Sequence, residues 1–97
     1  MPKYTLTSRA DSDLEEIWEY TDERWGRTQA HNYLTQLERR MSALAENPNR
    51  GRMRLEISGM PMSYHEGRHV IFYRTIAEGI EVLRVLHDSM DFSRHFD

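Results

Sequence analysis

The chain has 97 residues, 38% of them hydrophobic and 30% charged, with no cysteine and a formal net charge of −3. That size accommodates one compact core and not two, and the balance of apolar to charged residues excludes a disordered or membrane-embedded chain. The missing thiols exclude disulfides and cysteine-ligated metal. A net negative charge gives no bulk attraction to phosphate backbones, so a general nucleic-acid binder is not expected.

Residues Lys3 to Thr7 alternate, with Tyr4 and Leu6 on one face, and read as a first strand. Thr7 or Ser8 offers a hydroxyl to cap the helix that follows, and Asp11, Asp13, Glu15 and Glu16 lie where the helix dipole favours negative charge. Leu14, Ile17, Trp18, Thr21 and Trp25 recur at three- and four-residue spacing, which predicts a packed stripe ending at Gly26. Trp25 sits at the helix end, where an aromatic can also serve as an interface anchor.

A second helix is predicted from about Thr28 to Glu46, with Ala30, Tyr33, Leu34, Leu37, Met41, Leu44 and Ala45 on one face. The short connection makes the two helices a hairpin, and Asn47-Pro48-Asn49 ends it. From Arg50 onward the period changes. Met60 to His65, His69 to Ile76 and Ile80 to His87 read as strands, with turns at Glu66-Gly67 and Ala77-Glu78-Gly79 that pair them in sequence as a meander. Residues 91–97 form either one short helical turn or a loose tail.

The expected fold is α+β in the order β-α-α-β-β-β, a two-helix hairpin on a mainly antiparallel sheet and a single domain over 1–97. The pairing partner of the first strand is not legible from periodicity. No apolar run nears the roughly 20 residues that span a bilayer. The segment MPKYTLTSRADSD lacks the apolar stretch of a secretory signal, so a cytoplasmic location is expected.

The charges are lopsided. Acidic residues Asp11, Asp13, Glu15, Glu16, Glu19, Asp22 and Glu23 crowd the first half, while Arg50, Arg52, Arg54, Arg68, Arg74 and Arg84 lie in the second. Arg50, Arg52 and Arg54 read equally as a partner-binding edge for an acidic protein segment and as a solvated edge strand or loop. Met53, Met60 and Met62 fall outside the helix stripe and suit an adaptable groove. His65, His69 and His87 approach one another across neighbouring strands, but no ligand spacing completes a set, so no metal or cofactor is expected.

The stretches DLEEIWEYTDERWG, ALAENPNRGRMR, HVIFYR and IEVLRVLHDSMD, in that order, resemble the corresponding segments of ParE-type toxins of the RelE/ParE superfamily, over Tyr4 to Asp91. The resemblance implies a bacterial type II toxin-antitoxin module. It implies a toxin that poisons DNA gyrase by protein binding and a ParD-like antitoxin that wraps it, giving a hetero-oligomer without membrane or direct nucleic-acid contact.

Relatives of the RelE type instead cut messenger RNA on the ribosome, with Lys, Arg and a late Tyr or His on the sheet and after its last strand. Here that segment reads His87-Asp88-Ser89-Met90-Asp91-Phe92, with carboxylates where cations are wanted. A nuclease would have to use His87 with Arg84, Arg74 or His69. His87 is read instead as a hydrogen-bonding residue at a strand end, and Arg84, three residues back, points to the opposite face. No catalytic residue is therefore assigned. The candidate partner-binding residues are Trp25, Arg50, Arg52, Met53, Arg54, Met60, Met62, Arg84, Phe92 and Arg94.

Overall fold

In the computed structural model, which describes residues 1–96, the chain runs β1 (Lys3–Leu6), α1 (Ser8–Trp25), α2 (Arg27–Glu46), β2 (Arg52–Met53), β3 (Met62–Glu66), β4 (His69–Ile76) and β5 (Gly79–His87). Short 3-10 turns cover Pro48–Arg50 and Phe92–His95. The expected order holds, with one addition: the arginine segment contributes β2, a two-residue edge strand.

Thr7 settles the first corner. Its hydroxyl oxygen accepts the Ala10 N–H at 3.1 Å and caps α1, while its own proton goes to the Leu83 carbonyl at 2.8 Å. One side chain thus ends β1, starts α1 and ties both to β5. A single residue, Gly26, separates α1 from α2, so the helices fold back and pack as a hairpin.

The sheet order is β1-β5-β4-β3-β2. β3, β4 and β5 form the expected antiparallel meander, β2 adds antiparallel to β3, and β1 lies parallel to β5 with Lys3 opposite Gly79. Gly79 is needed there. Its φ is 146°, and a methyl group in place of its hydrogen would overlap the Lys3 carbonyl oxygen. A bulge follows in β5: Phe72 faces Arg84 and Tyr73 faces Val82, leaving Leu83 without a partner on β4.

Both faces of the sheet are buried, which is why Val70 to Tyr73 read as an unbroken apolar run. On one face Ile17, Leu37, Met41 and Leu44 from the hairpin pack on Ile71, Tyr73, Ile80, Val82 and Val85. On the other, Val70, Phe72 and Leu86 are covered by Ile57 from the β2–β3 connection and by Phe92 and Phe96 from the C-terminal turn. Residues 92–95 are therefore a helical turn with a packing role, and Asp97 lies outside the described residues.

Two sequence expectations are corrected. Met60 has φ +48°, a left-handed conformation incompatible with a strand, so β3 begins at Met62. Trp25, the last residue of α1, does not join the packed stripe; it is 67% exposed. Asp13, one of the acidic residues near the helix start, is buried. Among the described residues no helix is long and apolar enough to cross a membrane.

Candidate partner-binding site

The most structured surface feature lies where the hairpin tip meets the β3–β4 turn and the end of β5. Two adjoining hollows of about 380 and 390 Å³ share Tyr20, His69 and His87 and together form a groove. Its two walls differ in chemistry.

The first wall is held shut by Asp13 and Arg84. The Arg84 guanidinium donates from Nε and Nη2 to the two Asp13 carboxylate oxygens, each at 2.8 Å, and Asp13 Oδ2 also accepts the Val85 N–H at 3.0 Å. β1 stops opposite Val82, so this stretch of β5 has no strand to receive its N–H; the Asp13 carboxylate replaces it. The carboxylate holds the guanidinium pKa above its ordinary value, with burial opposing. Both side chains are largely buried, at 15% and 9% exposure.

The second wall starts from the β3–β4 turn. Gly67 has φ +61°, and a Cβ there would lie 2.7 Å from the Tyr33 ring. That close approach lets the Tyr33 hydroxyl reach over the turn, where it accepts the Arg68 N–H at 3.1 Å and is hydrogen-bonded to His69 Nδ1 at 2.5 Å. Burial raises the Tyr33 pKa, which keeps the proton available for that bond. His69 faces His87 directly across β4 and β5, with ring centroids 5.4 Å apart and edge-on.

Burial, and then the neighbouring His87, lower the His69 pKa from the usual 6.5 to about 4. His69 is therefore neutral at physiological pH. His87 Nδ1 sits 2.7 Å from the Ser89 hydroxyl and accepts the Ser89 N–H at 3.1 Å. The Nδ1 atoms of both rings are thus engaged within the fold.

Of the nuclease set, the fold brings His69 and His87 face to face, and Arg84 lines the same hollow. Arg84 stands opposite Phe72 on the strand, and its guanidinium is bound to Asp13. Arg74 lies at the far end of β4, where Nε meets Glu81 Oε1 at 2.7 Å. His65 reaches Asp88 at 3.2 Å. Among the described residues no group of His, Asp or Glu is arranged to hold a metal ion.

The remaining partner-binding candidates divide. Arg50, Arg52, Met53, Met60 and Arg94 are exposed. Arg54 is not a free edge cation: Nε donates to Ser63 Oγ at 2.8 Å, Nη1 pairs with Glu56 at 3.2 Å, and the guanidinium covers the Phe72 and Phe92 rings at 5.8 and 5.4 Å. Met62 is packed on the helix-side core, and Phe92 stacks edge-on with Phe72 at 5.0 Å. Arg84 is withdrawn into its pair with Asp13. Sequence reasoning missed Asp13, Tyr20, Arg24, Tyr33 and Arg68 as site residues. Only Gly67, where the chain must turn, hinted at what Tyr33 would touch.

A two-helix hairpin on a five-stranded sheet, with a surface groove where the hairpin meets the β3–β4 turn, defines a small α+β domain. A model of the ParE toxin of type II toxin-antitoxin systems, parDE, matches residues 4–92. The chain is 43% identical over 94 residues to Toxin ParE1 of Mycobacterium tuberculosis, covering 96% of each. It is 37% identical over 95 residues to Toxin ParE1 of Caulobacter vibrioides, covering 98% of each. A chain from the chromosomal ParDE system of P. aeruginosa superposes with a TM-score of 0.73 at 20% identity, covering 90% of this chain and 96% of that one, and so shares the fold. The chain belongs to the ParE toxin family.

Proposed function

We propose that this chain is a toxin that works by binding a protein target, is silenced in a complex with a ParD-like antitoxin, and uses no catalytic residue. DNA gyrase is the target that the family resemblance suggests, and a toxin of gyrase acts in the cytoplasm. Family membership supports the antitoxin; the groove supports the absence of cutting chemistry.

One observation carries that second point: the two imidazoles that face each other in the groove, His69 and His87, each have Nδ1 engaged by a neighbouring side chain. RNA cleavage by attack of a 2′-hydroxyl needs a general base, and it needs a cation beside that base to stabilise the phosphorane. His69 Nδ1 is bonded to the Tyr33 hydroxyl, His87 Nδ1 to Ser89, and Arg84 is consumed by Asp13. The nuclease reading draws on a different observation: Arg24 and Arg68 line the same hollow as the two histidines.

Two assays on purified, antitoxin-free protein separate the readings. The binding reading expects inhibited supercoiling or trapped cleavage complexes with gyrase, and intact messenger on programmed ribosomes. Cleavage of ribosome-bound messenger with gyrase unaffected would replace it with the nuclease reading.

A further inference from the structure

We propose that the hollow at the hairpin tip is an anchoring site for an acidic segment of the antitoxin: Arg24 and Arg68 receive its carboxylates, while Tyr20 and Trp25 pack against an apolar residue beside them. The inference rests on the toxin reading above and adds to it a place, a chemistry and two arginines not assigned so far.

The charges of the hollow run against those of the chain. Net charge is −3 and α1 carries Glu15, Glu16, Glu19, Asp22 and Glu23, yet no carboxylate lines this hollow of about 380 Å³. Arg24 and Arg68 both line it. Among the described residues neither makes an ion pair, whereas Arg40, Arg54, Arg74, Arg84 and Arg94 all do. Two unpaired guanidiniums in one concavity suit carboxylate oxygens, which they can bind through charge-assisted hydrogen bonds.

The apolar half of the site is equally unpartnered. Trp25 is 67% exposed and Tyr20 58% exposed, on a helix whose Leu14 and Ile17 are packed in the core. Tryptophan, tyrosine and arginine together form the usual composition of an energetic hot spot. The site is also held in shape before any partner arrives. Arg24 lies over the Tyr20 ring at 5.5 Å, and the Arg68 backbone is pinned by the Tyr33 hydroxyl at 3.1 Å. Less ordering is then left for the moment of binding.

A second copy of the chain is a poorer occupant. A two-fold contact through this hollow would place its arginines against the same arginines of the other copy, and like charges at an interface are strongly unfavourable.

The test uses the full chain and the full-length ParD-like antitoxin that the toxin reading requires, with affinity measured by calorimetry and folding checked by thermal melting. The double variant Arg24→Glu/Arg68→Glu should melt like the parent and bind about 100-fold more weakly, the scale of a broken charged contact at an interface. Arg39→Glu, an exposed substitution elsewhere on α2, should bind within about twofold, as rim charges outside a hot spot do. Changing the antitoxin's matching acidic residues to lysine should restore affinity to the double variant. Unchanged affinity in the double variant would overturn the anchor and leave the toxin reading standing. Self-association of the free chain that the same substitutions abolish would overturn it in favour of a second copy. No complex between the antitoxin and the unaltered chain would overturn the toxin reading, and the anchor with it.

Discussion

On one wall of the groove Arg84 is gripped by a buried aspartate through two 2.8 Å bonds, whereas on the other Arg24 and Arg68 have no carboxylate among the described residues. The first wall closes a gap in the fold, since β5 outruns β1 and needs a substitute acceptor at Val85. The second closes nothing. An arginine with a structural partner is spent on stability, while one held in place without a partner remains available to a ligand. The same residue type therefore has opposite meanings a short distance apart.

Breaking the closed wall should have the largest effect. Asp13→Ala leaves the Arg84 guanidinium and the Val85 N–H without acceptors in a largely buried place, a loss of about 3–5 kcal/mol. Urea denaturation measures it. Asp13→Asn keeps an acceptor for Val85 and should lose less; equal losses in the two variants would assign the effect to charge alone.

The support of the open wall comes next. Gly67→Ala puts a methyl against the Tyr33 ring in a left-handed backbone conformation, and about 1–3 kcal/mol of stability should go. Tyr33 should then lose its hold on the turn. Faster hydrogen exchange at the Arg68 amide would report it.

A pH titration probes the histidine pair between the walls. The folded His69 pKa of about 4 lies below the usual 6.5, so the unfolded chain binds this proton first on acidification. The contribution of His69 is complete above about pH 6.5 and is lost as pH falls toward about 4. His69→Gln should flatten that part of the stability profile, and an unchanged slope would move its origin to other groups.

The smallest effect belongs to the open wall itself. Arg68→Ala, Arg24→Ala and Trp25→Ala should leave stability within about 0.5 kcal/mol of the parent, because these side chains hold nothing in place. A larger loss in the denaturation midpoint would mean that they do.

Periodicity carried most of the fold. The helix stripe Leu37, Met41 and Leu44 and the β-rich runs at His69 to Ile76 and Ile80 to His87 fall where their spacing places them. What periodicity could not carry was set by contacts distant in sequence. The parallel pairing of β1 depends on Gly79 accepting a close neighbour across the chain. Asp13 looks like any acidic residue near a helix start until Arg84, 71 residues away, arrives beside it. Trp25 fits the helical period but is the last residue of α1 and stays 67% exposed. The site was the less legible part for the same reason: Tyr33 and His69, partners across 36 positions, carry no shared local pattern.

The most direct test of the claim that the groove binds rather than cuts is growth arrest on induction of His87→Ala without antitoxin. That variant removes one imidazole of the only histidine pair facing across β4 and β5, yet leaves Arg24, Arg68 and Trp25 in place. Growth should arrest as with the unaltered chain. Growth at the rate of uninduced cells, by a variant that still folds and still binds antitoxin, would contradict the account.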